Sequence, residues 1–380
     1  MRTYAPPTPD GRATASPLDG RRIVLVHDYL LVMRGAERTF AAMADVWPDA
    51  TVATLLHDPE AVNGRFAGRE LRTSFLQRSG ARQRHFRALL PVLPLAAERL
   101  RVSDFDVVVS SSSAFAHGVR AREGGVHVCY CHSPFRYAWF ERDAGLREAP
   151  APLRPALAAT LTYARQWTAR AADRVTHFLC NSRITQRRIW NAWHRQAHVL
   201  HPPVDVERFH SRPPEDFLLV VGEVTGHKRT QVALEAARLA RLPIVVVGDG
   251  PDLRALRERY APTATFAGRL DDADLAELYS RALAVVVPNV EEFGIVAVEA
   301  QAAGRPVVAV GAGGVKETVI HGYTGLLVDK GSPAALAAAL RQVPNMGFDP
   351  DAIVRHAQRF SRERFQDHLL KYVEAAVAGA

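Results

Sequence analysis

Residues 285–328, VVVPNVEEFGIVAVEAQAAGRPVVAVGAGGVKETVIHGYTGLLV, constrain the fold more than any other stretch of the chain. The β-branched run Val285 to Val287 has the continuous apolar character of a strand buried on both faces, as in a parallel sheet. A loop from Pro288 to Gly294 carries two adjacent carboxylates, Glu291 and Glu292, and a helix is predicted from Ile295 to Gly304, where glycine suits a C-cap. A second strand, Pro306 to Val310, runs into Gly311, Gly313 and Gly314 before another helix at Val315. Strand, loop, helix, strand, loop, helix is the pattern of an open parallel sheet. Both loops then fall at the carboxyl edge of the strands, where such folds bind ligands.

The spacing within this stretch points to chemistry. Glu291 and Glu299 stand eight residues apart, one in the loop and one on the helix. Phe293, Gly294 and Ile295 bring backbone N–H groups to the helix start, where the dipole favours anions and polar hydroxyls. One bound molecule can therefore meet a carboxylate at each end and bare amides between them. Carboxylates accept hydrogen bonds from vicinal hydroxyls, which suits a sugar nucleotide. An ordinary solvent-facing acidic loop would also contain two glutamates.

The same alternation runs along the rest of the chain. Strands are predicted at Arg21 to Leu30, Thr51 to Asp58, Asp106 to Val109, up to His132, and from Phe178; the last leads through an Asn-Ser cap into a helix. The Asp106 strand opens on four serines. Val199 to Phe209, VLHPPVDVERF, has two prolines that stiffen an extended crossing and reads as a linker. The pattern restarts at Phe217 with FLLVVGEV, followed by a helix preceded by Lys228 and Arg229, and then by Pro243 to Tyr260, strand, Gly-Asp-Gly turn and helix. Two cations before a helix N-terminus suit a diphosphate. A polar-capped helix over Ser332 to Val343 and a helical tail over Asp351 to Val377 complete the chain. The expected organisation is a disordered tail at 1–20, an N-terminal α/β domain at 21–202, and a C-terminal α/β domain at 203–359.

Composition narrows the function classes. With 48% hydrophobic and 23% charged residues the chain is an ordinary globular protein, and no apolar run reaches the roughly 18 residues that cross a bilayer. The three cysteines, Cys129, Cys131 and Cys180, fit a reducing cytoplasm, and Cys129-x-Cys131-His132 lacks a second ligand pair at zinc spacing, so no metal site is expected. The net charge of +8 is spread along the chain, without the aromatic interleaving of nucleic-acid binders. It suits a phosphorylated ligand or an anionic membrane surface. Residues 85–100, HFRALLPVLPLAAERL, which include Arg87 and follow Arg82 and Arg84, read either as a surface helix pair packed on the N-terminal domain or as a membrane-surface or lipid-acceptor patch. Oligomeric state has no signature here.

The segment EEFGIVAVE, continued by AQAAGRPVVAVGAGGVKETV and TGLLV, resembles the retaining glycosyltransferases of family 4, which have the GT-B fold of two Rossmann-like domains facing a cleft. CHSPFRYAW, residues 131–139, also resembles a segment common in that family, several members of which transfer mannose from GDP-mannose. The resemblance implies a retaining, metal-independent hexosyltransferase with no cofactor. Its donor would be a nucleotide-diphosphate sugar, GDP favoured and UDP second, and its acceptor a glycan, lipid-linked or small-molecule hydroxyl. It implies His132 at the transferred sugar and Glu291 orienting that sugar, together the catalytic pair. Gly35, Lys228 and Arg229 would hold the diphosphate, Phe293, Gly294 and Ile295 the donor sugar, Glu299 the ribose, and Arg269 and Leu270 the nucleobase. Arg34, Arg136 and Tyr137 would lie on the acceptor side. The C-terminal helix, about 360–380, would cross back onto the N-terminal domain. The expected place of work is the cytoplasm, at the inner face of the membrane where a lipid-linked acceptor requires it.

Two positions depart from the family pattern. Arg34 stands where the first glycine of the N-terminal loop is usual, and Glu223 where an arginine normally sits. A carboxylate beside a diphosphate repels it, which leaves three readings: Arg229 or Arg34 compensates, the donor is unusual, or activity is reduced. Readings of another class are a nucleotide-sugar epimerase, which would call for more catalytic carboxylates in the N-terminal half, and a non-catalytic sugar-nucleotide binder.

Overall fold

In a computed structural model, described for residues 16–80 and 86–380, the chain forms two parallel sheets joined by a short linker. The first has seven strands in the order β3-β2-β1-β4-β5-β6-β7. They are β1 (Ile23–Leu30), β2 (Thr51–His57), β3 (Leu71–Thr73), β4 (Val107–Ser112), β5 (Val126–Cys131), β6 (His177–Cys180) and β7 (Ala197–Val199). The second has six in the order β10-β9-β8-β11-β12-β13: β8 (Leu218–Val221), β9 (Ile244–Val247), β10 (Ala264–Gly268), β11 (Ala284–Val287), β12 (Val307–Val310) and β13 (Gly325–Val328). All pairings are parallel, and the order reverses beside β1 and beside β8. These are two Rossmann-like doubly wound halves, the GT-B arrangement, and ligand crevices form at such reversal points.

Each sheet is covered on both faces, which is why its central strands read as unbroken apolar runs. One face of the first sheet packs under Leu93, Ala97, Phe115 and Trp167, and the other under Phe40 and Met43 of the Gly35–Val46 helix. That second face is completed by the C-terminal helix Arg362–Ala378, whose Phe365, Leu369 and Val373 are buried there. The second sheet is enclosed in the same way by two further apolar clusters.

Four expectations are corrected. Residues 1–15 of the anticipated disordered tail lie outside the described residues, but 16–20 form an ordered turn. There the Ser16 hydroxyl donates to Glu374 at 2.7 Å, and Leu18 packs on the core. The helical tail is two helices, Pro350–Ala357 and Arg362–Ala378. The break falls where the chain passes from one domain to the other, and Ser361 caps the second helix by accepting from the Arg364 N–H at 3.3 Å. The strand expected to end at Val109 continues through Ser112, because each of its serines is hydrogen-bonded to a histidine inside the sheet layer. The helix expected at Val315 is a single turn, Val315–Thr318.

Of the segment at 85–100, residues 81–85, with Arg82 and Arg84, lie outside the described residues. The remainder forms a turn at Phe86–Leu89 and a short helix, Leu93–Glu98, whose Leu93, Ala96 and Ala97 are buried while Val92 and Leu95 are exposed. Among the described residues no helix is long and apolar enough to cross a membrane.

Candidate functional site

The site lies where the carboxyl edges of the two sheets meet. After β1 the chain enters the Gly35–Val46 helix, and after β11 it enters the Ile295–Ala302 helix. The two helix starts face each other so closely that a Cβ on Gly35 would lie 3.3 Å from Ile295 Cδ1. Their positive dipole ends thus converge. Phe293 and Gly294 offer N–H groups without an acceptor among the described residues, and the Ile295 N–H, at the first helical position, has none within its helix. The Phe293 side chain itself is core, 3% exposed against His201 and Phe360, so only its backbone can serve a ligand.

Glycine backbone holds the acidic loop in place. Glu291 bridges to Gly313, and the Gly314 N–H donates to the Glu291 carbonyl at 2.9 Å. A Cβ on Gly314 would fall 2.2 Å from the Glu292 carbonyl oxygen, so only glycine permits this approach. Held this way, the Glu291 carboxylate accepts from Lys228 Nζ at 2.8 Å and Asn289 Nδ2 at 2.7 Å. Glu292 reaches the opposite domain, taking a 2.8 Å bond from Arg188. Burial alone would raise the Glu292 carboxyl, but that arginine, with Arg136 nearby, holds it below the ordinary range.

Glu299 is enclosed more deeply. Its oxygens accept from Tyr279 Oη at 2.8 Å and Arg208 Nη2 at 3.4 Å, and burial pushes its carboxyl above the ordinary value. Arg208 also pairs with Asp272 at 2.9 Å, and Arg38 reaches Asp272 from the other domain at 3.1 Å. Arg208, Arg38, Tyr279 and Asp272 have no signature in residue spacing, since they are scattered along the chain and meet only in the fold. Asp271 caps the helix Asp272–Arg281, accepting from the Ala273 and Asp274 N–H groups. Just before it, Arg269 is exposed and Leu270 half-buried at the carboxyl end of β10.

The N-terminal wall is built from histidines and serines. His132, partly exposed beyond β5, has its carbonyl held by Asn181 Nδ2 at 3.0 Å and its Nε2 within 2.9 Å of Ser111 Oγ. Ser111 also meets His27 Nδ1 at 3.0 Å, and His27 Nε2 lies 3.8 Å from Glu37. Burial drives the His132 pKa down to about 3, which keeps the ring neutral. Asp28 shapes the backbone instead. Its buried carboxylate accepts the N–H groups of Ser113, Ala114, Phe115 and Ala116, fixing the turn after β4. Arg136 is exposed at the start of a short helix, 3.8 Å from Glu141, and Tyr137 is half-buried beside it.

The two departures from the family pattern touch one another. Arg34 has φ −110°, a backbone that needs no glycine, and its guanidinium pairs with Glu223 at 3.4 Å across the cleft. The cation and the anion therefore compensate each other directly. Arg229, expected beside Lys228 as a diphosphate ligand, is placed differently: its guanidinium donates to the carbonyls of Gly331 at 2.6 Å and Pro288 at 3.4 Å. Those carbonyl oxygens at loop ends need donors, and the arginine ties two loops together instead of standing free. Cys129, Cys131 and Cys180 are free, buried thiols, and among the described residues no group of three or more His, Cys, Asp or Glu gathers at metal-binding distance.

Residues 33–208 match the family model Glycosyltransferase Family 4, and residues 205–363 match Glycosyl transferases group 1. A D-inositol 3-phosphate glycosyltransferase of Catenulispora acidiphila is 31% identical over 250 residues, 55% of this chain and 59% of that one. A glycogen synthase of Mycobacterium tuberculosis is 37% identical over 173 residues, 43% of this chain and 40% of the relative. The chain thus spans about half the length of the curated relatives it matches. Among solved structures, sucrose-phosphate synthase from Thermosynechococcus elongatus superposes with a TM-score of 0.69 at 16% identity, covering 95% of this chain and all of that one. Anabaena HepE in complex with UDP and glucose gives 0.68 at 17% identity, covering 93% of this chain and 100% of its own. The two parts of the chain are thus each similar to a glycosyltransferase family model, and the fold shared along nearly the whole length is the GT-B architecture.

Proposed function

We propose that the protein moves a hexose, mannose favoured, from a nucleoside-diphosphate sugar to a hydroxyl of a glycan, lipid-linked or small-molecule acceptor, with retention and without a metal or other cofactor. The observation that carries this reading is the meeting of two helix starts, Gly35 and Ile295, beside the Lys228–Glu291 pair. Convergent N–H groups and one lysine supply the positive charge that a departing diphosphate requires. Glu291, released when Lys228 turns to the phosphates, accepts from hydroxyls of the transferred sugar near the anomeric carbon. Glu299 takes the ribose hydroxyls through its remaining lone pairs, since a carboxylate can accept about four bonds. In the transfer, the bond from the anomeric carbon to the diphosphate oxygen breaks and the acceptor oxygen bonds to the same face. The proton of that hydroxyl passes to the departing phosphate oxygen.

GDP is favoured as the donor nucleotide by the CHSPFRYAW segment, and the UDP bound in Anabaena HepE supports uridine as the second choice. The work is assigned to the cytoplasm, with peripheral contact to the membrane face where the acceptor is lipid-linked.

A thermal-shift panel of GDP-, UDP-, ADP- and dTDP-sugars tests the reading. The cognate donor at 100 times its Kd should stabilise the fold by about 2.7 kcal/mol. Nucleotide release that depends on an acceptor then separates a transferase from a mere binder. No shift with any donor would remove the proposal.

A further inference from the structure

We propose that Glu37, His27 and Ser111 fix the tautomer of His132, with the proton on Nε2 and a bare acceptor at Nδ1 for a ligand hydroxyl. The four side chains form one file: Glu37 Oε1 lies 3.8 Å from His27 Nε2, His27 Nδ1 lies 3.0 Å from Ser111 Oγ, and Ser111 Oγ lies 2.9 Å from His132 Nε2. With one proton on each imidazole, the charge of Glu37 at the end of the file selects between the two possible directions of donation. The Glu37 carboxylate, too far for a hydrogen bond at 3.8 Å, still attracts the N–H dipole of His27 to Nε2, the nitrogen that faces it. With a single N–H on Nε2, His27 Nδ1 accepts the one O–H of Ser111. Ser111 can then only accept from His132, whose Nε2 must carry the hydrogen, and its Nδ1 is left with a lone pair.

The surroundings hold this file rigid. Glu37 Oε2 accepts the Arg34 N–H at 3.0 Å, and His27 stacks on Phe40 with ring centroids 4.8 Å apart. The His132 ring meets Tyr130 edge-on at 5.1 Å. Ser111 is fully buried and its hydroxyl has no other partner among the described residues. His132 Nδ1 also has no hydrogen bond there, yet it is not among the polar atoms sealed inside the protein without a partner, so solvent or ligand reaches it. An acceptor at that point selects a group with a proton to give. A sugar hydroxyl fits, whereas a carboxylate or an O-methyl group at the same position meets a lone pair with nothing to donate.

That the donor is a sugar hydroxyl rests on the transfer reading above; the tautomer does not. Selective 15N-histidine labelling, with His132 assigned through His132→Gln, reads the tautomer of the unliganded protein at pH 7.5. The expected spectrum has His132 protonated at Nε2, and Ser111→Ala should shift it toward a mixture of tautomers. In the same variant kcat should fall about three- to tenfold, the value of one hydrogen bond, while GDP or UDP affinity stays within about twofold. A wild-type His132 protonated at Nδ1, or a Ser111→Ala spectrum identical to wild type, would overturn the proposal. If Ser111→Ala does not fold, the wild-type spectrum decides alone. The expected tautomer in a protein that turns over no donor would sink the transfer reading and leave this one standing.

Discussion

The two walls of the cleft are made by different means. On the N-terminal wall the working groups sit within or just beyond strands, packed between sheet layers and oriented by side-chain hydrogen bonds, as His132, Ser111 and His27 show. On the C-terminal wall they sit on a loop, and glycine backbone orients it: Gly313 and Gly314 press against the carbonyls of Glu291 and Glu292. Buried imidazoles are kept neutral, whereas Glu291 faces Lys228 as a charged pair. The His132–Ser111 part of one wall therefore presents uncharged donors and acceptors, and the acidic loop of the other presents charge. A ligand with a sugar at one end and a diphosphate in the middle matches that division.

Acid should break the N-terminal wall first. His117, His127 and His132 have folded pKa values lowered by burial to about 4, 3 and 3, below the ordinary 6.5. Their depressed values mean that stability is full above pH 6.5 and is lost as pH falls toward the folded values, because the unfolded chain binds the protons first. Each group loses up to about 1.4 kcal/mol per pH unit in that window, so several kcal/mol should vanish by about pH 4.5. Urea unfolding at pH 7.5 and 5 measures this, and equal stabilities would contradict it.

On the other wall the corresponding break is Gly314→Ala. Its Cβ would collide with backbone 2.2 Å away, and overpacking of this kind lowers stability by about 1–3 kcal/mol. The melting temperature and the donor KM should worsen together, since the acidic loop must move; a change in only one would separate fold from site.

Lys228→Ala should lower kcat/KM by more than about tenfold, because a charge-assisted bond to phosphate is worth roughly 1.5–3 kcal/mol. A fully active variant would assign the diphosphate elsewhere.

The smallest effect is expected where the walls touch through exposed side chains. Arg34 and Glu223 are 55% and 43% exposed, so a double-mutant cycle of their alanine variants should give a coupling of no more than about 1 kcal/mol in stability. A larger coupling would make this pair a principal tie between the domains.

The alternation of apolar strands and helices, and the restart at Phe217, were readable because a doubly covered parallel sheet demands unbroken β-branched runs wherever it occurs. Glu291, Glu299, Lys228 and the Phe293 to Ile295 turn were legible because they lie close together in sequence or beside a helix start. Arg229 shows the limit of that method. A cation before a helix reads the same whether its guanidinium meets a ligand or, as here, two carbonyls from distant loops.

What the sequence by itself determined is the local chemistry of each segment: which runs pair into sheets, where helices begin and which charges stand at their starts. The tertiary structure alone decided which of these charges meet. Arg34 and Glu223 lie 189 positions apart in the chain, and Arg38 and Asp272 lie 234 apart. Pairings over such distances follow from how the two halves dock, and no periodicity of 2 or 3.6 residues encodes that.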